Sequence, residues 1–233
     1  MVKFIIIVLT VYCVTIPVFC DVIDNIKEKV ESNLKMITNI DCSAKIYIHY
    51  GENQLTNLIK LYKKGAKSRM EYQSFPYYTL VNDGKSSWVI ESKDTNVTKL
   101  NIQKPAGAGG LGLTESPFKG FTLELNEVKD NYAMITGKKL AGYTNNELSP
   151  EFWIRVFLVN FINGYVDSYR DFNTNRQLTG SQSIFYSNIN NVYFPVLISN
   201  TAYLQYFNQT GYININLSEI YLNQAIDDNL FIK

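Results

Sequence analysis

The chain has 233 residues, with 22 Lys and Arg against 21 Asp and Glu. That near-neutral balance, without any clustered basic stripe interleaved with aromatics, argues against a nucleic-acid partner, because phosphate-backbone binding needs a basic surface that displaces counterions. One histidine, His49, and three cysteines, Cys13, Cys20 and Cys42, do not assemble a Cys/His metal site, and no spaced carboxylate cluster takes its place, so no metal and no cofactor is expected.

The N-terminus comes first. Lys3 precedes an apolar run from Phe4 to about Phe19, interrupted only by Thr10, Thr15 and Pro17. This reads as a secretory signal peptide, since a membrane-spanning helix needs about 20 apolar residues and this run is shorter and carries a proline near its end. Val18 and Cys20 at minus three and minus one allow cleavage before Asp21, giving a signal over 1–20 and a single domain over 21–233. Alternatively, Cys20 is the acylated first residue of a lipid-anchored protein, although Phe19 is large for the position before such a cysteine. Loss of 1–20 removes one charge, Lys3, and leaves Cys42 alone, so no intramolecular disulfide forms and Cys42 reads as a small buried apolar side chain.

From Asp21 to Ile37 the apolar residues Val22, Ile23, Ile26, Val30, Leu34 and Ile37 recur at three and four, with Lys27, Glu28, Glu31 and Lys35 between them. This spacing predicts an amphipathic helix with one buried face. The period then switches to two. Strands are expected near 44–50, 58–62, 68–72, 77–81 and 87–91, and again near 121–128, 132–138, 152–159, 165–172, 183–186, 192–199, 204–207 and 213–221. Short turns such as Asp83-Gly84 and Lys129-Asp130-Asn131 join them. Connections this short permit only antiparallel neighbours. The expected fold class is α+β, mostly β: one large antiparallel sheet of about 10–12 strands that must curl to hide its apolar face.

The break in the pattern is Lys104 to Pro117, which contains Gly107-Ala-Gly109-Gly-Leu-Gly112, a formal match to a dinucleotide fingerprint. That fingerprint requires a buried parallel strand before it and a helix opening at its third glycine, whereas Pro105 precedes and Ser116-Pro117 closes this segment. A lid loop at the rim accounts better for glycines that maximise backbone freedom and for Leu111 and Leu113, which supply apolar contact.

Val81-Asn-Asp83-Gly84-Lys85-Ser-Ser-Trp88, Asn191-Val-Tyr-Phe-Pro195, and the closing Ile213 to Leu217 followed by Asn223, an acidic turn at Asp227 and Leu230-Phe231 occur in this order. Together they resemble the LolA-like family of outer-membrane lipoprotein-sorting proteins. The resemblance implies a curved sheet, an open half-barrel, whose open side is covered by the N-terminal helix. It also implies a periplasmic carrier of lipoprotein or lipid acyl chains destined for the outer membrane, working with an inner-membrane releasing complex and an outer-membrane acceptor. The chain departs from the family at the arginine that latches the helical lid, whose place falls on Lys64 followed by Gly65, and at Arg155, where many relatives carry Asp after Trp-Ile.

The residues point the same way on separate grounds. An acyl chain in a dry pocket contributes about 0.8 kcal/mol per methylene, so about 14 methylenes supply on the order of 11 kcal/mol before ordering costs. Period two puts Met70 and Tyr72 on one face of their strand and Arg69 and Glu71 on the other, and it groups Trp88 with Ile90, Phe121 with Leu123 and Leu125, and Ile215 with Leu217. With Ile26, Val30 and Leu34 of the helix, Leu80, Leu111, Leu113 and Trp153, these are the candidate cavity residues, although a packed core uses the same side chains. The competing class is a non-catalytic envelope sensor or interaction module on the same fold, or an anchored receptor if Cys20 is acylated. Catalysis is not expected, since no Ser/His/Asp arrangement or paired-carboxylate motif stands out. The expected state is a monomer.

Overall fold

A computed structural model describes residues 22–74, 77–91, 97–100, 113–141, 153–204 and 209–232. Helix α1 covers 22–35 and buries Ile26, Val30 and Asn33, with Ile37 buried just beyond its end. The strands are β1 (Asn39–Tyr50), β2 (Asn53–Lys64), β3 (Lys67–Tyr72), β4 (Tyr78–Asn82), β5 (Ser87–Glu91), β6 (Val97–Leu100), β7 (Phe121–Lys129), β8 (Tyr132–Lys139), β9 (Ile154–Asn160), β10 (Tyr165–Phe172), β11 (Leu178–Ile189), β12 (Val192–Leu204) and β13 (Gln209–Leu222). A single 3-10 turn, Asp228–Phe231, follows.

All thirteen described strands form one antiparallel sheet in the order β6-β5-β4-β3-β2-β1-β13-β12-β11-β10-β9-β8-β7. Among the described residues its free edges are β6 and β7, so it is open, as the resemblance implies. The strand count exceeds the expected 10–12 because β6 adds a strand after the Asp94 region. The strand expected at 204–207 falls largely on 205–208, outside the described residues, and Leu204 instead ends β12.

The order has a consequence for the cover. The chain meanders from β1 out to β6 and resumes at β7 on the far edge, so residues 101–120 link the two edges. Leu113 and Phe118, on the described part of the crossing, are buried in two different clusters on one side of the sheet. Leu113 packs with Ile40, Cys42, Leu61, Met70 and Phe194; Phe118 packs with Ile26, Val30, Ile135 and Phe157 of α1, β8 and β9. The glycines 107–112 and Leu111 lie outside the described residues.

Two glycines permit this packing. At Gly164, in the β9–β10 turn with φ +70°, an added Cβ would meet the Lys29 carbonyl oxygen of α1 at 2.7 Å. At Gly137 a Cβ would lie 2.9 Å from both the Phe121 and Phe157 rings, which meet edge-on with centroids 5.5 Å apart.

Candidate functional site

Beneath α1 lies a cavity of about 250 Å3. Val30, Asn33, Leu34 and Ile37 roof it, Leu113 to Lys119 close one side, and β9 to β13 form its floor with Val166, Ile184, Ile198 and Ile215. A second hollow of about 600 Å3 opens between the C-terminal end of α1, the start of β1, Lys63 and Gly65 of the β2–β3 turn region, and Thr114. Leu34, Ile37 and Ser116 line both, so the two lie side by side.

The roof is fastened by polar contacts as well as packing. Asn33, 5% exposed, donates from Nδ2 to the Tyr193 carbonyl at 3.0 Å and accepts from the Tyr193 N–H at 3.2 Å, which ties α1 to the backbone of β12. Ser116 donates to Glu31 at 3.2 Å, joining the crossing segment to the helix.

The floor is apolar in its middle and polar at both ends. At one end Tyr165 stacks on Tyr186 with centroids 4.2 Å apart, and Tyr186 donates its hydroxyl to the Val166 carbonyl at 3.1 Å. Burial pushes the Tyr186 phenol well above its ordinary range, so it stays protonated as a donor. At the other end Arg155, 4% exposed, holds Asp171, 1% exposed, through Nε–Oδ1 at 2.7 Å and Nη2–Oδ2 at 2.8 Å. The Arg155 guanidinium lies 3.8 Å from the Tyr169 ring centroid and 5.5 Å from that of Phe121. Bidentate pairing with aromatic cover keeps a charge tolerable inside a protein.

Of the sequence candidates, Val30, Leu34, Leu113, Phe121 and Ile215 line the cavity. Ile26 is buried against β8–β10, where Leu123 and Leu125 also pack. Met70 and Leu217 are buried in the cluster around β1, with Tyr72 and Leu80 against it. Trp153 is 48% exposed, and Leu111 lies outside the described residues. Trp88 and Ile90 take the other face. Cross-strand partners share a side: Leu61, Met70, Leu80 and Val89 align, and so do Tyr62, Arg69, Val81 and Trp88. Cys42 is fully buried, and burial pushes its thiol up to about 12, so it is inert packing.

Lys64, where the resemblance places the lid latch, points to the convex side. It donates to Asp228 at 2.9 Å and to the Ile226 carbonyl at 3.1 Å, while Lys67 reaches Asp228 at 2.7 Å and Arg69 donates to the Leu230 carbonyl at 3.1 Å. It therefore holds down the C-terminal turn.

Sequence reasoning missed Asn33, Tyr165, Tyr169, Gln182, Tyr186 and Asn200, and it noted Arg155 only as a departure. A signal existed for two of them: Asn33 occupies the stripe Ile26–Val30–Asn33–Ile37, and Arg155 alternates with Phe157 and Val159 on a core-facing parity.

No family model and no curated protein matches the chain. Solved structures do. A DUF1329 family protein from Desulfovibrio piger is similar with a TM-score of 0.65 at 11% identity, over 89% of this chain and 95% of that one. A LolA superfamily protein from Nitrosomonas europaea gives 0.62 at 13% identity, over 90% and 97%. A domain described as an outer-membrane lipoprotein-sorting protein, from Vibrio parahaemolyticus, gives 0.62 at 10%, over 88% and 95%. The chain has the LolA-like fold. Identities this low establish the fold and no more. On this fold the chain carries the Asn33 tie, the Arg155–Asp171 floor and a Lys64 committed to the C-terminal turn. Among the described residues no helix is long and apolar enough to cross a membrane, and no group of His, Cys, Asp and Glu is placed to hold a metal.

Proposed function

We propose that this LolA-like protein is a non-catalytic carrier that takes up the acyl chain of a lipid or lipoprotein between α1 and the concave face of the sheet. The supporting observation is the cavity under α1, whose middle is built from Val30, Leu34, Ile37, Leu113, Ile184, Ile198 and Ile215. At about 30 Å3 per water-sized group, its 250 Å3 holds roughly eight methylenes. At about 0.8 kcal/mol each this supplies on the order of 6 kcal/mol before ordering costs. The volume falls just below the ~300–1,000 Å3 of ordinary small-molecule sites, so a longer chain occupies the adjoining hollow too. Moderate enclosure suits a carrier, which must also let go.

The apolar segment 4–19 and the lipoprotein-sorting domain among the similar structures support export and an envelope location, with cleavage before Asp21. Outer-membrane delivery, the releasing complex and the acceptor belong to the same reading.

Native mass spectrometry of the protein from its own membrane fraction should show a co-purified lipid. Ile198→Trp, which fills the floor, should abolish binding of a fluorescent fatty acid with the melting transition kept. Full binding by this variant would place the ligand elsewhere and defeat the reading.

A further inference from the structure

The concave floor carries a row of polar side chains that neither packing nor an empty apolar pocket requires. Tyr169, Gln182 and Asn200 are direct cross-strand partners on β10, β11 and β12, and all three line the cavity. The next row, on β11, β12 and β13, is Ile184, Ile198 and Ile215, so on β11 and β12 the surface changes from aliphatic to hydrogen-bonding within one residue pair. Tyr169 donates its hydroxyl to Gln182 Oε1 at 3.0 Å, which fixes the Gln182 amide with its Nε2 hydrogens directed elsewhere. Among the described residues, neither Gln182 Nε2 nor the Asn200 carboxamide has a hydrogen-bond partner. Both are only half-buried, so they face the open space of the cavity.

The charge beside this row is already matched. Arg155 is held bidentate by Asp171, and the remaining charged lining residues, Lys119 and Glu115, are of opposite sign and exposed at the rim. An ionised head would meet no unmatched charge at the row, whereas an uncharged head with carbonyl and hydroxyl groups would find donors on Gln182 and both a donor and an acceptor on Asn200.

We infer that Gln182 and Asn200 form a head-group subsite selecting an uncharged acyl ester over a free fatty acid, with the acyl chain running along Ile184, Ile198 and Ile215. This rests on the proposed cavity function and specifies its ligand. A few well-placed polar groups in an apolar pocket are the ordinary device for orienting a ligand.

The test uses monooleoylglycerol and oleate at pH 8 as competitors of a fluorescent alkyl probe, on the wild type and on Gln182→Leu with Asn200→Leu. The wild type should prefer monooleoylglycerol. The double variant should lose about tenfold or more of that affinity, the effect of two hydrogen bonds, while binding oleate as well as before or better. Asn200→Asp, which keeps the shape of the side chain, should show the same preference loss and covers the case in which the leucine variant fails to fold. Equal losses for both lipids, or no loss, would overturn the subsite while leaving the cavity function standing. A wild type that displaces the probe with neither lipid would remove both.

Discussion

At the scale of single residues, the two positions that set the geometry are a glycine and a buried ion pair. Gly164 lets the β9–β10 turn touch the backbone of α1, and its φ of +70° is one that side chains rarely adopt. Gly164→Ala combines that strain with a clash against the Lys29 carbonyl, so it should lower stability by about 1–3 kcal/mol; an unchanged denaturation midpoint would show that the turn and helix do not meet. The Arg155–Asp171 pair makes the opposite kind of demand. Arg155→Met removes the paired cation from a carboxylate that is 1% exposed and should cost about 3–5 kcal/mol. Adding Asp171→Asn should restore most of the loss, a recovery that urea melts of the single and double variants would measure. The fold of β9 and β10 was legible from alternation, but this pair was not, because Arg155 and Asp171 become partners only once the register of two strands is known. Gln182 and Asn200 were hidden for the same reason: each is unremarkable in its own strand.

At the scale of elements, α1 is a cover fastened at named points and not a free flap. The sequence stripe identified its buried face correctly through Ile26 and Val30 but gave no weight to Asn33 as its tie. Val30→Glu places a carboxylate at a position 2% exposed, and the helix should lift to hydrate it. Asn33→Ala removes both bonds to Tyr193 and leaves two main-chain groups to find water. Both variants should bind more of an apolar dye than the wild type at unchanged strand content, and equal dye binding would mean that α1 guards no cavity. The C-terminal turn is a second fastening, on the other face. The side-chain bonds from Lys67 and Lys64 hold the Asp228 carboxyl down to about 2, below the ~3.9 of an unfolded aspartate. Its contribution is therefore complete above about pH 4 and is lost as the pH falls toward 2. Hydrogen exchange at residues 228–231 should accelerate over that window, and Asp228→Asn should show the fast exchange already at neutral pH.

At the scale of the whole molecule, one topological fact organises the rest: β1 lies in the middle of the sheet beside β13, and the chain leaves one edge at β6 and re-enters at the other at β7. The meander and the antiparallel pairing followed from turn lengths and period two, and the open edges from the resemblance to the LolA-like family. Which face became concave did not follow, because β4 carries apolar side chains on both parities, Leu80 on one and Val81 on the other. Val81 and Phe231 are both 1% exposed although neither belongs to the two clusters on the α1 side. Trp88 pairs with Val81 and so belongs to the convex side, while Tyr193 lines the cavity. The two faces can therefore be read separately by fluorescence. A protein with Trp153→Phe, in which Trp88 is the sole indole, should keep its emission spectrum when monooleoylglycerol binds. A protein with Trp88→Phe, Trp153→Phe and Tyr193→Trp should shift to shorter wavelength as lipid displaces water from the cavity. A response confined to Trp88 would put the ligand on the convex face and make the space under α1 a packing defect of the core.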